Sequence, residues 1–178
     1  MLAFLRLSLL GVLTVFIAAC TTAPKKVIVV PQNKIAHLKS LSMPNRLPIP
    51  VDGIQAKNLK DTWGNARSQG RSHEGIDILA PRGTKVFSAT EGIVASLKSN
   101  NLGGTVVWII GPSGAWHYYA HLDQQQRGLN EGDYIQKGAL IGYVGNTGNA
   151  QHTAPHLHYG LYLLGKGRGA VNPYPYLR

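Results

Sequence analysis

The chain has 178 residues, of which 18 are Lys or Arg and 8 are Asp or Glu, so its formal charge is +10. Its 44% hydrophobic residues are enough for a buried core, which excludes wholesale disorder, and its length suits one domain with attachments. A single cysteine excludes a disulfide framework and a zinc finger built from cysteines. Any metal site must therefore use His, Asp or Glu.

The first residues have the pattern of a targeting segment. One positive charge, Arg6, precedes an apolar run from Leu7 to Ala19. This run is shorter than the ~20 residues that a membrane-spanning helix needs, and it matches the apolar part of a signal peptide. We therefore predict that residues 1–19 are a signal peptide.

The end of this run points to lipidation. Ile17-Ala18-Ala19-Cys20 resembles the cleavage box of bacterial lipoproteins, which implies that Cys20 becomes the acylated mature N-terminus. Thr21 follows, where an Asp would indicate retention in the inner membrane. By resemblance to Gram-negative lipoproteins, this predicts a lipid anchor in the outer membrane, facing the periplasm. The alternative is a plain signal peptide or membrane anchor with an incidental cysteine.

The charge of the exported chain limits the classes of partner that it could bind. Removal of residues 1–19 takes away Arg6 alone and leaves a formal charge of +9. Such a protein could bind nucleic acid, anionic lipid or an anionic cell wall. Export makes nucleic acid the least expected partner, and we predict none. The charge alone does not choose between lipid and wall.

Residues 20–46 are predicted to form a basic tether that carries the acyl group. The stretch 21–48 contains five Lys or Arg residues, no acidic residue and four prolines, which interrupt regular structure. About 30 extended residues could reach up to ~100 Å. The alternative is that this stretch packs on the domain as additional structure.

Residues 47–178 are predicted to form one all-β domain. Short runs of β-branched and aromatic residues alternate with turns that contain Gly, which is typical of antiparallel sheets. No stretch after residue 20 shows a sustained helical period. We therefore expect a sandwich or a partly open barrel. The predicted strands are Lys85–Ala89, Gly92–Lys98, Thr105–Ile110, Ala115–His121, Tyr134–Gln136, Ala139–Val144 and Leu157–Leu164.

Histidine spacing in this domain indicates a metal site. His73 and Asp77 are four residues apart, and His156 and His158 are two apart. On a strand, an even spacing places side chains on the same face. Three ligands from His and carboxylate, with one open position for water, form the usual catalytic zinc site. Two same-face pairs in one small domain therefore favour a zinc site over isolated structural histidines.

Three motifs in order make the sequence resemble the lysostaphin-type (LytM-type) zinc endopeptidases that cut peptidoglycan. The motif His-x-x-x-Asp is met at 73–77, Tyr-Ala-His-Leu at 119–122 and His-x-His at 156–158. The match covers roughly residues 47–178. The resemblance implies a fold of the duplicated hybrid motif type, zinc as the cofactor and peptidoglycan as the substrate.

The resemblance also assigns roles to individual residues. It implies that His73, Asp77 and His158 hold zinc, while His121 and His156 stay off the metal. These two would act on the water and on the developing oxyanion, because the reaction needs a base and a donor.

The remaining histidines receive lesser roles. His117 lies four residues before His121, could share its face, and is the main alternative for its role. We expect His117 to support the site from behind or to lie on a strand surface. His152 is expected in a loop that lines the cleft, and His37 to have no catalytic part.

The last motif departs at one position from the pattern of the family that the sequence resembles. Many relatives read His-Phe-Glu where this chain has His158-Tyr159-Gly160, so Gly160 replaces a carboxylate that could orient a ligand.

The leading hypothesis is a zinc endopeptidase that hydrolyses bonds in peptidoglycan stem peptides or cross-links. The alternatives are a non-catalytic activator with a cell-wall amidase as partner, and a structural lipoprotein. All five expected positions are filled, which favours the enzyme.

Overall fold

The computed structural model describes residues 32–178, so the predicted signal peptide and Cys20 lie outside the described residues. Within that range every strand pairing is antiparallel, which confirms the all-β prediction. None of the helices in residues 32–178 is long and apolar enough to cross a membrane. The strands are β1 (Ile76–Leu79), β2 (Lys85–Phe87), β3 (Gly92–Asn100), β4 (Gly104–Ile110), β5 (Trp116–Gln125), β6 (Tyr134–Ile135), β7 (Leu140–Val144), β8 (His156–Tyr162) and β9 (Ala170–Val171).

Strand β5 organises the sheet. The strand order is β1-β8-β5-β4-β3-β6, with β9 paired to β8 and β7 paired to both β5 and β2. Residues 116–120 of β5 pair with β8, whereas the segment from Leu122 to Gln125 pairs with β7. The strand therefore changes partner at His121, and β8 lies between β1 and the first half of β5.

The core lies under this sheet and is made by alternate residues of its strands. Its buried members include Ile76 and Ile78 of β1, Val107 and Ile109 of β4, Tyr119 and Leu122 of β5, and Leu157 and Tyr159 of β8. Each such side chain contributes roughly 1.5–3 kcal/mol on burial. Because these residues point inward, the residues between them on β1 and β8 are turned to the opposite face.

His117 belongs to this core and not to the cleft, so the expectation that it could share the face of His121 is wrong. Its side chain is fully buried, and its Nδ1 lies 2.7 Å from the hydroxyl oxygen of Tyr159. Thr90 Oγ1 lies 3.4 Å from its Nε2. Burial lowers the pKa of His117 to about 4, so the ring is neutral in the core.

The structure also contains a helix that the sequence did not predict. Helix α1 (Gln32–Ser40) packs against the turn Pro112–Gly114 and against β3. Its Leu38 is fully buried, and the half-buried Ile35 lies three residues earlier on the same face. Two buried or half-buried apolar positions in nine residues are too few to show a helical period.

The chain after α1 continues along the domain. Leu47 forms a parallel bridge with Leu177 and accepts a backbone hydrogen bond from Arg178 at 3.0 Å. Residues 32–46 therefore pack on the domain, as in the alternative interpretation of the predicted tether.

We predict that α1 contributes to the stability of the domain. Leu38→Ala should lower the free energy of unfolding by about 2–4 kcal/mol, because it leaves a cavity under the helix. Urea denaturation of the purified chain measures this. His37→Ala, on the exposed side of the same helix, should change it by less than about 0.5 kcal/mol. Equal midpoints for both variants would show that the helix does not stabilise the domain.

Candidate metal centre and active site

Three side-chain atoms converge on one point at the ends of β1 and β8. His73 Nε2 lies 2.8 Å from His158 Nδ1 and 3.1 Å from Asp77 Oδ1, and Asp77 Oδ1 lies 3.2 Å from His158 Nδ1. The strand register creates this proximity, because Asp77 of β1 stands directly opposite His158 of β8. His73 precedes β1 and reaches the point from a loop, not from the strand that the sequence suggested.

This triangle fits zinc. A tetrahedral ion with bonds of about 2.0–2.2 Å separates its ligands by roughly 3.3–3.5 Å, slightly more than the 2.8, 3.1 and 3.2 Å between the three atoms. The donor set of two imidazoles and one carboxylate is a set that zinc accepts. The three atoms also form the one group of at least three potential ligands found within residues 32–178.

Protonation states in the structure suit cation binding. Burial raises the pKa of the Asp77 carboxyl, but its contacts with the imidazoles of His158 and His73 outweigh burial and hold this pKa well below its usual range. Burial lowers the pKa of His158, with Asp77 opposing the shift in part. At neutral pH Asp77 is therefore an anion and His158 is neutral, which leaves a lone pair on its ring.

Groups behind the triangle fix its orientation. The Thr62 carbonyl oxygen lies 2.7 Å from His73 Nδ1, and because a carbonyl only accepts, Nδ1 carries the hydrogen and Nε2 keeps a lone pair. Thr62 Oγ1 also accepts a bond from the Asp77 backbone N–H at 3.0 Å. The Arg67 guanidinium donates to Asp77 Oδ2 at 2.5 Å, which leaves Oδ1 to face the histidines.

His121 reaches the same face through an unusual backbone conformation. Strict alternation along β5 would turn it inward with His117 and Tyr119. Its φ of 60° lies in the left-handed region, which a non-Gly residue seldom adopts, and breaks this alternation. Its Nδ1 lies 2.9 Å from the Thr147 carbonyl oxygen, so Nδ1 donates and Nε2 is the free nitrogen.

His156 completes the cleft beside His121. Its Nδ1 donates to the Ala154 carbonyl at 2.8 Å, and its Nε2 lies 3.8 Å from Asp77 Oδ1. The rings of His121 and His156 are 5.0 Å apart. Burial is the main cause that lowers the pKa of His121 to about 4, so this ring is neutral at pH 7. Both rings lie beside the triangle, and neither belongs to the group of three potential ligands.

Two glycines make room for the side chains of His158 and Tyr162. A Cβ at Gly75 would lie 2.7 Å from His158 Cε1, so any side chain there would displace the imidazole. A Cβ at Gly160 would lie 2.9 Å from Tyr162 Cε2 and 3.1 Å from the Glu74 carbonyl oxygen. A side chain at position 160 would therefore meet the ring of Tyr162.

The other predicted positions lie apart from the site. His152 is exposed in the loop before β8 and is not among the residues that line the cleft. His37 is exposed on α1. Sequence reasoning missed Thr62, Arg67 and Thr147, which orient His73, Asp77 and His121. Their contacts join separate loops, so no short spacing could have revealed them.

Comparisons with known proteins agree with this geometry. The model of peptidase family M23 matches residues 71–173. The L-Ala–D-Glu endopeptidase of Bacillus subtilis is 38% identical over 140 residues, which are 74% of this chain and 42% of that protein. This chain spans between 20% and 42% of the length of the curated relatives that it matches.

Solved structures show the same fold. The catalytic domain of lysostaphin from Staphylococcus simulans has a TM-score of 0.59 and 29% identity, over 67% of this chain and 92% of that chain. A zinc-containing peptidase from Vibrio cholerae has a TM-score of 0.51 and 28% identity, over 63% of this chain and 35% of that chain. The family match, which includes all five candidate site residues, shows that this chain belongs to peptidase family M23.

Proposed function

We propose that this chain is a zinc-dependent endopeptidase that hydrolyses peptide bonds in peptidoglycan. The observation that carries the proposal is the convergence of His73 Nε2, Asp77 Oδ1 and His158 Nδ1, with the free nitrogens of two further histidines beside them. A binding protein has no need of such an arrangement, and no contact in residues 32–178 favours an amidase activator. The Bacillus subtilis relative is an L-Ala–D-Glu endopeptidase, which supports stem peptides as the substrate class.

The ligands and the cleft histidines divide the chemistry. Zinc held by His73, Asp77 and His158 would supply a Lewis acid and lower the pKa of a bound water to near 7. Arg67 and Thr62 keep the donor atoms of Asp77 and His73 turned toward that position. The ligands therefore keep a fixed geometry while the substrate changes.

His121 and His156 move protons. Because the Nδ1 hydrogen of each ring is committed to a backbone carbonyl, only Nε2 can exchange a proton in the cleft. A neutral ring accepts the proton of the attacking water at Nε2. Once protonated, the same nitrogen can donate to the negative charge on the carbonyl oxygen or to the leaving amine. Burial keeps His121 neutral beforehand, which suits it to act as a base.

We predict that substitutions of a zinc ligand and of a proton-transfer histidine have different effects, even for His156 and His158, which lie in one tripeptide. His158→Ala leaves two protein ligands and should lose both zinc and activity. His156→Ala and His121→Ala should keep near-stoichiometric zinc while turnover of purified peptidoglycan falls by ~10²–10⁴-fold. Zinc content by atomic spectroscopy and release of muropeptides by mass spectrometry measure both properties.

The matched control is His117→Ala. His117 lies in the core, so this variant should lose stability, by about 2–4 kcal/mol, yet keep zinc and turnover per folded molecule. Loss of zinc from His156→Ala with retention in His158→Ala would reverse the assignment. Wild-type turnover in both variants would show that the site is not catalytic.

We further propose that the chain is a lipoprotein of the outer membrane, with its domain in the periplasm. Support comes from the apolar run Leu7–Ala19, the Ala18-Ala19-Cys20 junction and Thr21 after it. From Cys20 to Gln32 the chain could extend by at most ~40 Å. Because residues from 32 onward pack on the domain, an acylated Cys20 would keep the cleft near the membrane.

Cys20→Ser should remove this anchor. We expect the wild-type chain to fractionate with membranes at high salt, with an intact mass that lacks residues 1–19 and carries acyl chains. The variant should not show that mass, and any processed form of it should be released into the soluble fraction. A processed variant that stays on membranes at high salt would rule out acyl anchoring as the cause.

A further inference from the structure

The pairing of β5 with β4 contains a β-bulge at His121. Thr105 of β4 pairs with Leu122 of β5. Two residues later on β4, Val107 pairs with Tyr119, which lies three residues earlier on β5. Strand β5 therefore has one extra residue at this point, and a bulge of this kind redirects a side chain.

The left-handed backbone of His121 at this bulge needs support from its surroundings. A non-Gly residue in that region is strained and persists only where neighbouring contacts hold it. The backbone N–H of His121 donates to the Gly103 carbonyl at 2.7 Å. Its imidazole Nδ1 donates to the Thr147 carbonyl at 2.9 Å. The position of the ring therefore depends on the loop that carries Thr147.

The hydroxyl of Thr147 joins the two strands next to the bulge. Its oxygen accepts a hydrogen bond from the Thr105 backbone N–H at 2.9 Å and donates one to the Leu122 carbonyl at 2.8 Å. Thr105 and Leu122 are partners in the register, so one side chain binds a donor on one strand and an acceptor on the other. A hydroxyl oxygen can do both, whereas a methyl group can do neither.

The loop lies this close to the strands because residue 104 has no side chain. A Cβ at Gly104 would lie 2.1 Å from Thr147 Oγ1. Two residues after Thr147, the Asn149 backbone N–H donates to the Leu102 carbonyl at 3.1 Å. The loop is therefore attached to the turn between β3 and β4 and to β5 at the same place.

We propose that the Thr147 hydroxyl is a positioning group for His121. The Thr147 carbonyl contacts the imidazole, and the hydroxyl holds that carbonyl beside the bulge through the backbones of Thr105 and Leu122. The His121 Nδ1 hydrogen then stays bonded, and Nε2 is the nitrogen left in the cleft. The consequence for the reaction rests on the proposed role of His121 in proton transfer.

Two substitutions of Thr147 test this role through the tautomer of His121. Thr147→Val puts a methyl group where the hydroxyl lies and keeps the backbone carbonyl, whereas Thr147→Ser keeps the hydroxyl. Long-range proton–nitrogen NMR of the purified full-length chain shows which ring nitrogen carries the hydrogen. We expect it on Nδ1 in wild type and Thr147→Ser, and a mixture of both tautomers in Thr147→Val.

Turnover of purified peptidoglycan should change in the same way. Thr147→Val should lower it on the order of 10²-fold, because a displacement of about 1 Å near the reacting atoms can cost that much. Thr147→Ser should stay close to wild type. In the His121→Ala background Thr147→Val should cause no further loss, since a positioning group acts through the residue that it positions. Zinc should stay near-stoichiometric in every variant.

The matched control is Thr84→Val. The Thr84 hydroxyl also donates to a backbone carbonyl, that of Pro81 at 2.7 Å, and Thr84 is not among the residues that line the cleft. This variant should keep the tautomer, the zinc and the turnover of wild type. If Thr147→Val does not fold, Thr147→Ala makes the same comparison with the same expected results, because it removes the hydroxyl and places no methyl group against the Thr105 N–H.

The assignment is overturned if Thr147→Val keeps the Nδ1 hydrogen of His121, keeps wild-type turnover or loses zinc. It is also overturned if Thr147→Val lowers turnover by a similar factor in the His121→Ala background, because the hydroxyl would then act by another route. If wild type with bound zinc does not cleave peptidoglycan, the proposed function fails. The tautomer measurement still decides in that case whether the hydroxyl positions the ring.

Discussion

The antiparallel pairing of β1 with β8 is the constraint on which the candidate site depends. This pairing sets Asp77 opposite His158. On the other edge of β8, His158 lies opposite Ala120 of β5. Inward residues on these strands are held by the core, so their outward neighbours cannot rotate away. A slip of one residue in either strand would turn the ligand on that strand into the core, because side chains alternate between the faces.

A second level of order comes from groups that carry no chemistry themselves. Thr62 fixes both His73 and the backbone of Asp77, and Arg67 occupies the carboxylate oxygen that faces away from the histidines. The cleft histidines are treated in the same way, since Thr147 and Ala154 each accept the Nδ1 hydrogen of one ring. As a result three of the four histidines around the cleft, His73, His121 and His156, each have one defined nitrogen available.

Much of this arrangement could be predicted from the sequence. The even spacing of His156 and His158 placed them on one face, and the motif order gave the family and the fold. The rule that alternate residues of a strand share a face failed at His121, because its own left-handed conformation interrupts the alternation and places it on a different face from His117. The rule also did not apply at His73, which lies before the strand. Helix α1 escaped prediction because one buried leucine and one half-buried isoleucine do not make a period.

The coordination of zinc in the purified full-length chain can be measured by X-ray absorption at the zinc edge. We expect four light-atom neighbours at about 2.0–2.2 Å, two of them imidazoles, from His73 and His158, one the Asp77 carboxylate and one a water oxygen. A sulfur neighbour at about 2.3 Å, or scattering from three or four imidazoles, would contradict this ligand set. The latter result would place His121 or His156 on the metal and remove it from proton transfer.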